Sequence, residues 1–245
     1  MIVLAIDTST ASGSLAVARD GVVLAATTGD PGTPHGRRLP GDVVTLLGRA
    51  GIAIHEIDVY GVAIGPGAFT GLRIGIAVVQ GLAFANARPV VGISALEAIA
   101  HTASDEGIGS NSLVGIWMDA ARHEVFSALY TPGDQTVSPL EGPAVAPPGE
   151  TLQHWRPRID SRPVVFAGDG ALRYESVIRA SGLAARIATL QTPVASTMTR
   201  LAAEAHIRGL SGPPHALRPL YVRRPDAVLA RERDERTSTG VHRRS

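Results

Sequence analysis

A glycine-rich segment joins an apolar strand to an apolar helix in the first third of the chain. Residues 65–75 read Gly-Pro-Gly-Ala-Phe-Thr-Gly-Leu-Arg-Ile-Gly. The short apolar run 59–64 precedes them and 72–86 contains no proline, so the sequence predicts strand, loop and helix in that order. Thr70 is the predicted N-cap of the helix. Because glycine has no Cβ, these glycines permit a tight turn and let another segment approach the first helical turns.

The same loop presents free amides and a helix dipole to an anion, which leaves phosphate binding as an alternative role. Its spacing, Gly-x-Gly-x-x-x-Gly, is one residue longer than the dinucleotide fingerprint, and a phosphate loop requires Gly-Lys-Ser or Gly-Lys-Thr. The chain contains no lysine. The sequence therefore favours packing and turn formation as the role of the glycines.

The helix predicted over 72–85 is apolar around nearly its whole circumference. Its strongly polar residues, Arg73 and Gln80, lie seven apart and so share one narrow stripe. Such a helix must be covered on nearly all sides, either inside one subunit or by its own sheet and a second protein. The protein interface is the favoured interpretation. The residues predicted to form it are Gly71, Arg73, Gly75, Ile76, Val79, Gln80 and Ala83.

The composition excludes several classes of protein. The 245 residues are 44% hydrophobic, enough for one large domain or two smaller ones. The formal net charge of +1 leaves no broad basic footprint for nucleic acid, and the absence of cysteine excludes disulfides, thiolate catalysis and zinc–thiolate sites. Asp7 comes too early for a signal peptide or a membrane span at the start, so we expect a cytoplasmic protein without membrane contact.

A pattern of three strands appears twice along the chain. The predicted strands are 2–6, 12–18 and 22–27 in the first half and 113–118, 123–130 and 136–140 in the second. Helix, strand and helix follow each set, at 39–50, 59–64 and 72–85 and then at 150–155, 164–167 and 171–180. Residues 144–149 are predicted to form a loop. The sequence therefore predicts an internal duplication.

Two such lobes across a cleft predict an α/β fold of the actin, sugar-kinase and heat-shock-ATPase type. This is a ribonuclease H-like architecture of duplicated lobes, each a mixed sheet flanked by helices. The predicted domains are 1–103, with the glycine loop and the partner-binding helices, and 104–223, which repeats the topology. Residues 224–245 have no apolar period and are predicted to be a flexible Arg-rich tail, with an inert role favoured over RNA contact.

In this fold the strand-terminal Asp7 and Asp119 are expected to point into the cleft, where related ATPases hold Mg²⁺ and phosphate. The residues predicted to line a vestigial nucleotide site are Asp7, Thr8, Ser9, Thr10, Gly168 and Gly170. The alternative is that each aspartate only caps the adjoining turn. Asp169 stands between the two glycines expected to contact adenosine, a departure that argues against nucleotide binding.

Four landmarks in order along the chain carry a resemblance to a known family. They are Ile6-Asp7-Thr8-Ser9-Thr10, the loop 65–75, residues 119–126 (Asp-Ala-Ala-Arg-His-Glu-Val-Phe), and Pro219-Leu220-Tyr221-Val222-Arg223. Together they resemble TsaB, the bacterial paralogue of the threonylcarbamoyl-transferring subunit TsaD. Three positions depart from that family: serine, arginine and tyrosine are usual where this chain has Ala68, Ala121 and Phe126. These substitutions do not change the backbone conformation that the motifs require.

The resemblance implies a non-catalytic subunit that pairs with TsaD, through the helices of the first lobe. It also implies a third partner, the ATPase TsaE, and contact with tRNA only through the complex. TsaD forms N6-threonylcarbamoyladenosine beside the anticodon of tRNAs that read codons beginning with A. A surface built for a paralogue can pair with itself, so a homodimer is expected when the protein is alone. No cofactor is expected to be required, with weak ATP or ADP and Mg²⁺ binding in the cleft.

The histidines argue independently against catalysis. No two of the eight are spaced i, i+3 or i, i+4, so no helix presents two imidazoles to one metal, and we expect neither catalytic nor metal-binding residues. His35 and His123 are interpreted as polar surface or strand residues. The alternative function is an active ATP-dependent phosphotransferase or a metal-dependent hydrolase of the same fold, using Asp7, Asp119 and the Gly168-Asp169-Gly170 turn.

Overall fold

The first half of the chain forms a five-stranded mixed sheet. The computed structural model describes residues 1–109, 111–133 and 136–223, so the predicted tail 224–245 lies outside the described residues. The strands are β1 (Ile2–Asp7), β2 (Ser14–Arg19), β3 (Val22–Thr28), β4 (Val59–Gly65) and β5 (Val90–Ser94), in the order β3-β2-β1-β4-β5. β1 is antiparallel to β2 and parallel to β4, and β4 is parallel to β5. The helices of this half are α1 (His35–Ala50), α2 (Phe69–Ala85) and α3 (Ala95–Asp105).

The second half repeats this sheet strand for strand. Its strands are β6 (Leu113–Asp119), β7 (Val125–Pro132), β8 (Val137–Ala146), β9 (Val164–Ala167) and β10 (Ala185–Ile187), in the order β8-β7-β6-β9-β10. The senses of pairing are those of the first sheet. The helices are α4 (Pro148–Ile159), α5 (Asp169–Arg173), α6 (Glu175–Ala180) and α7 (Val194–Ile207). The duplicated α/β fold predicted from the sequence is confirmed.

The helices divide the hydrophobic core into three parts. One part lies between the first sheet and α1 with α2, and a second lies between the second sheet and α4 with α6. The third contains α3 and α7, which pack between the two sheets, so both lobes share it. No helix in the described ranges is long and apolar enough to cross a membrane.

Late segments of the chain pack on the first lobe. The predicted division at residue 103 assigned these segments to the second domain. α7 packs on the first sheet, where the Ala195 N–H donates to Ser14 Oγ at 3.0 Å. Further on, the Leu220 N–H donates to the Ile64 carbonyl at 2.7 Å. The predicted second domain is corrected accordingly: a segment late in the sequence completes the first lobe.

Several local predictions were wrong because tertiary contacts decide them. α2 begins at Phe69 with Ala68 at the N-cap position and no side-chain cap, so Thr70 lies inside the helix. The predicted loop 144–149 instead ends β8 and begins α4, because β8 pairs with β7 and proline suits the first helical turn. The predicted helix 171–180 is divided at Tyr174. The second strand of the second lobe begins at Val125, since residues 121–123 adopt positive φ in a tight turn.

Candidate partner-binding surface and inter-lobe cleft

The glycines at the start of α2 let this helix pack directly on the loop that follows β1. A Cβ on Gly71 would lie less than 3.0 Å from the Thr8 carbonyl oxygen, and a Cβ on Gly75 equally close to Thr8 Oγ1. The Ala68 N–H donates to the Ser9 carbonyl at 2.8 Å. These contacts favour the packing role for the glycines, because the approach that they permit is filled by the chain itself.

This close packing fixes which side of α2 faces its own sheet. Ile76, Val79 and Ala83 are buried in the core beneath the helix, with exposed fractions of 7%, 0% and 0%. Together with Gly71 and Gly75 they contact their own chain, so the prediction that these five residues face a partner is corrected. Gln80 is half-buried and donates through Nε2 to the Pro214 carbonyl at 2.9 Å. Of the seven predicted interface residues, Arg73 alone is exposed.

The opposite side of α2 presents a different set of residues to solvent. Arg73, Ala77, Gly81 and Phe84 are exposed and lie three or four apart, so they form one stripe. Phe84 is 82% exposed. Apart from Arg73 this stripe is apolar, and its residues are left exposed by the part of the chain that the structure describes.

The neighbouring helix α1 extends this stripe. Gly41, Val44 and Gly48 are exposed, Val44 to 72%. The two helices touch where Gly36 approaches Ile74, with a Cβ on Gly36 lying 3.5 Å from Ile74 Cδ1. We refer to seven exposed residues of the two helices as the α1–α2 face: Gly41, Val44, Gly48, Arg73, Ala77, Gly81 and Phe84. Arg37, Pro40, Thr45 and Arg49 of α1 are exposed beside them, and Arg37 lies four residues before Gly41.

Three glycines on the α1–α2 face lie next to open space in the described part of the structure. A Cβ on Gly41, Gly48 or Gly81 would meet nothing within 4 Å. Glycine inside a helix costs about 1 kcal/mol relative to alanine, so each of them weakens its helix. The absence of side chains there leaves room for another backbone to approach closely, which is a property of helix–helix contacts.

A cleft of about 630 Å³ lies between the lobes, and a smaller cavity of about 220 Å³ lies beside it. Ser9 and Thr10 of the predicted nucleotide site line the larger cleft, together with the apolar side chains of Phe69, Met118 and Phe126. Asp7, Thr10 and Gly168 line the smaller cavity. Thr8 and Gly170 line neither, so the structure brings only part of the predicted set together.

The strand-terminal aspartates each cap a turn. Asp7 is buried, and its Oδ1 accepts the Ser9 N–H at 2.9 Å; burial raises the pKa of this carboxyl. Asp119 Oδ1 accepts the Ala121 N–H at 3.1 Å in the same i, i+2 pattern. The capping alternative therefore accounts for both carboxylates without a metal ion.

The Gly168-Asp169-Gly170 turn is the second-lobe counterpart of the glycine loop. A Cβ on Gly168 or Gly170 would lie less than 3.0 Å from the backbone of Trp117 or Met118, so both glycines pack α5 onto β6. Asp169 Oδ1 accepts the Asp119 N–H at 3.0 Å, and burial followed by the nearby Asp119 carboxylate raises the pKa of Asp169. The duplication predicted from the sequence thus extends to the packing of these glycines.

The Ser9 hydroxyl is a feature of the cleft that fits a phosphate group. Ser9 Oγ is buried, lines the larger cleft and has no hydrogen-bond partner among the described residues, so it can donate to an anion. The aspartates and the glycine pair make structural contacts instead, and no three His, Asp or Glu side chains converge within the described ranges. The set as a whole does not fit a tightly bound Mg-nucleotide.

His35 was interpreted from the sequence as a surface or strand residue, which is wrong. It begins α1 and is buried, and its Nε2 lies 2.8 Å from the Thr10 carbonyl oxygen. His123 is exposed in the turn between β6 and β7. Burial of His35 arises from the packing of α1 on the β1–β2 loop, which no spacing in the sequence indicates.

The segment 219–223 bridges the lobes, and sequence reasoning used it only as a landmark. Tyr221 OH accepts a hydrogen bond from Arg73 Nε at 3.1 Å in the first lobe. Arg223 Nη1 donates to the Ala120 carbonyl at 2.7 Å in the second, and the Arg223 guanidinium also pairs with Glu124. The same segment supplies part of the wall of the larger cleft.

This two-lobed architecture is shared with proteins of unrelated sequence. The (R)-2-hydroxyglutaryl-CoA dehydratase component A from Acidaminococcus fermentans aligns with a TM-score of 0.52 at 13% identity, over 84% of this chain and 99% of that protein. That likeness shows the fold alone. A sequence model of a specific family, TsaD: tRNA N6-adenosine threonylcarbamoyltransferase, matches residues 32–229. Fold and sequence together define a TsaD-like protein of the duplicated ribonuclease H-like class.

More similar relatives narrow this class. The Escherichia coli tRNA threonylcarbamoyladenosine biosynthesis protein TsaB is 31% identical over 91% of this chain and 95% of its own length. The Bacillus subtilis protein of the same description is 29% identical over 73% of this chain and 75% of its own length. The solved structure of YeaZ from Pseudomonas aeruginosa aligns with a TM-score of 0.72 at 31% identity, over 90% of this chain and 99% of that one. The chain belongs to the TsaB family.

Proposed function

We propose that this protein is a non-catalytic scaffold subunit that binds a TsaD-type transferase and supports its formation of N6-threonylcarbamoyladenosine. The modified adenosine lies beside the anticodon in tRNAs that read codons beginning with A. The names of the relatives support the pathway. The single observation that carries the scaffold role is the α1–α2 face, a largely apolar surface on two adjacent helices that the described residues leave exposed.

Contacts at the catalytic positions of the fold support a non-catalytic role. Asp7 and Asp119 each accept a backbone N–H two residues on through Oδ1, so turn capping gives both side chains a structural role. Gly168 and Gly170 pack against the β6 backbone. A subunit that contributes a surface has no need of an assembled metal site, whereas metal catalysis requires several converging ligands.

The remaining parts of the proposal concern assembly. The TsaE-type ATPase joins the pair, tRNA is contacted only through the complex, and the α1–α2 face forms a homodimer when the partner is absent. No cofactor is required, and ATP or ADP with Mg²⁺ binds weakly, through donors such as the Ser9 hydroxyl. A cytoplasmic location follows, because the tRNA substrate is found there.

Coexpression with a TsaD-type transferase tests the proposal. Phe84→Arg and Ala77→Arg place a charge on the α1–α2 face, and we expect each to reduce capture of the tagged transferase at least about tenfold. Ile207→Arg is the matched control, since Ile207 is 77% exposed on α7, away from that face. Wild-type capture by both face variants would reject the mapping, and no capture by the wild-type chain would reject the scaffold role.

The alternative, an active phosphotransferase or metal-dependent hydrolase, is not favoured by any specific contact. Calorimetry of the purified full chain with Mg-ATP, followed by measurement of phosphate release, separates the two functions. The scaffold proposal expects weak binding and no turnover. Tight binding with turnover, lost in Asp7→Asn, would favour the enzyme.

A further inference from the structure

Arg73 is the one charged residue that α2 exposes, and contacts on the face and on one edge of its guanidinium hold the side chain in place. The guanidinium carbon lies 3.8 Å from the centroid of the Phe69 ring. Its Nε donates to Tyr221 OH at 3.1 Å. The Phe69 and Tyr221 rings contact each other, with centroids 5.4 Å apart. The three side chains therefore form one stacked cluster at the start of α2.

The cluster uses only part of the hydrogen-bonding capacity of Arg73. Arginine carries five N–H donors, and those on Nη1 and Nη2 form a fork that matches the two oxygens of a carboxylate. Within the described ranges, the hydrogen bond and the stacking contact of Arg73 engage Nε and the face of the guanidinium. No acceptor among the described residues pairs with this fork, and its orientation is already fixed, which lowers the entropy lost on binding.

The geometry points to a carboxylate on the partner subunit that pairs with the Nη1–Nη2 fork of Arg73 at one end of the α1–α2 face. This inference rests on the proposed function, because it assumes that the face binds a TsaD-type subunit. Arginine beside aromatic rings is the composition typical of the residues that dominate binding energy at interfaces. Ala77, Gly81 and Phe84 contribute apolar surface that is buried against the partner. The ion pair fixes the register of α2 against the partner's helix.

A protein carboxylate is favoured over an RNA phosphate by the surroundings of Arg73. RNA binding depends on several cations acting together along a backbone. The other exposed cations of the two helices are Arg37 and Arg49, both on α1, and the α2 residues beside Arg73 on the face are alanine, glycine and phenylalanine. Residues 1–222 carry 16 Arg against 18 Asp plus Glu, a formal charge of 16 − 18 = −2. One oriented arginine in an apolar surface suits one acidic side chain.

Binding measurements on the full chain with the purified transferase test this pairing. We expect Arg73→Glu to weaken the complex about tenfold or more, because it opposes two carboxylates. Tyr221→Phe keeps the ring and removes the acceptor for Nε, so we expect about threefold weaker binding, the size of one hydrogen bond. Arg186→Glu makes the same change of charge at an exposed position of the second lobe and is expected to bind like wild type.

A charge-swap experiment identifies the acceptor. Acidic residues on the helices of the transferase are changed singly to lysine, and we expect one of these variants to restore binding to the Arg73→Glu chain. Affinity for the wild-type chain should fall with added salt, and this dependence should be smaller for Arg73→Gln.

The outcomes separate this inference from the proposed function. If Phe84→Arg prevents binding while Arg73→Glu binds like Arg186→Glu, the carboxylate pairing is overturned and the scaffold role stands. If Arg73→Glu abolishes only tRNA binding, or weakens only the self-association of the chain, the acceptor is a phosphate or a second copy, and the inference is also overturned. If wild type does not bind, the proposed function fails first.

Discussion

Gly75 on α2 faces Thr8 so closely that a Cβ on Gly75 would lie less than 3.0 Å from Thr8 Oγ1. Thr8 is fully buried and its hydroxyl has no hydrogen-bond partner among the described residues. Neither residue has room to move, because Thr8 continues β1 and α2 is held by the core beneath it. The contact therefore sets the rotation of α2 about its own axis, and with it the residues that α2 presents to solvent.

Alanine at Gly75 and at Gly81 should have opposite effects. Gly75→Ala forces a methyl group against Thr8, so we expect a loss of about 1–3 kcal/mol in the free energy of unfolding. Gly81→Ala meets nothing within 4 Å and should gain about 0.5–1 kcal/mol from higher helix propensity. Urea unfolding of both variants checks this, and equal effects at the two positions would contradict the close packing.

Arginine substitutions on the buried and on the exposed side of α2 should differ in their cost to the free energy of unfolding. Ile76→Arg and Val79→Arg bury a charge in the core, and we expect each to cost about 3 kcal/mol or more. Phe84→Arg changes an exposed ring and should stay within about 0.5 kcal/mol of wild type. Circular dichroism melts of the three purified variants give the measurement. A well-folded Val79→Arg would mean that α2 is rotated relative to this structure.

Arg223 should contribute more to stability than the nearby Arg218. The Arg223 side chain is 20% exposed and bridges to Ala120 and Glu124 in the other lobe. Arg218 donates only to the local carbonyls of His215 and Leu217. We expect Arg223→Gln to cost about 1–2 kcal/mol and Arg218→Gln less than about 0.5 kcal/mol by urea unfolding. Equal losses would show that the segment does not join the lobes.

Burial of Asp7 should make the protein less stable as pH rises. Its pKa in the folded state is raised above the ordinary value of 3.8, so the folded state holds this proton more tightly than the unfolded chain. The contribution is fully favourable below pH 3.8 and is lost as pH rises through the folded pKa. We therefore expect Asp7→Asn to gain stability relative to wild type as pH rises above 3.8.

Asp20 supplies a control of opposite sign for this experiment. The amino terminus, through a hydrogen bond and its charge, lowers the pKa of Asp20, so its contribution is present above pH 3.8 and is lost as pH falls. Asp20→Asn should therefore be less stable than wild type above pH 3.8, and this difference should shrink as pH falls below 3.8. Urea unfolding at several pH values measures both, and a pH-independent difference for Asp7→Asn would contradict the assignment.

Much of the fold follows from local patterns. Eight of the ten strands were predicted, and all of these except β8 were placed within two residues at each end, because turn residues and apolar runs of strand length mark them. β5 and β10 were not predicted, and β8 extends six residues beyond its predicted end. The duplication followed from comparing the two series. The predictions that failed depended on distant contacts: α7 packs on the first sheet, the loop 144–149 is drawn into β8, and His35 is buried beneath the β1–β2 loop. No nearby residue carries a signal for any of these.

The sequence by itself indicated that α2 must be covered on nearly all sides. Between Leu72 and Ala85 its apolar residues surround the helix, and Arg73 and Gln80 are the strongly polar residues among them. That same distribution left the rotation of the helix undetermined, since no broad polar stripe marks an outer face. Tertiary structure decided it: Gly71 and Gly75 accept the backbone and side chain of Thr8, which turns Ile76, Val79 and Ala83 inward and leaves Ala77, Gly81 and Phe84 outside. The steric fit of two glycines, and not hydrophobicity, selected the surface available to a partner.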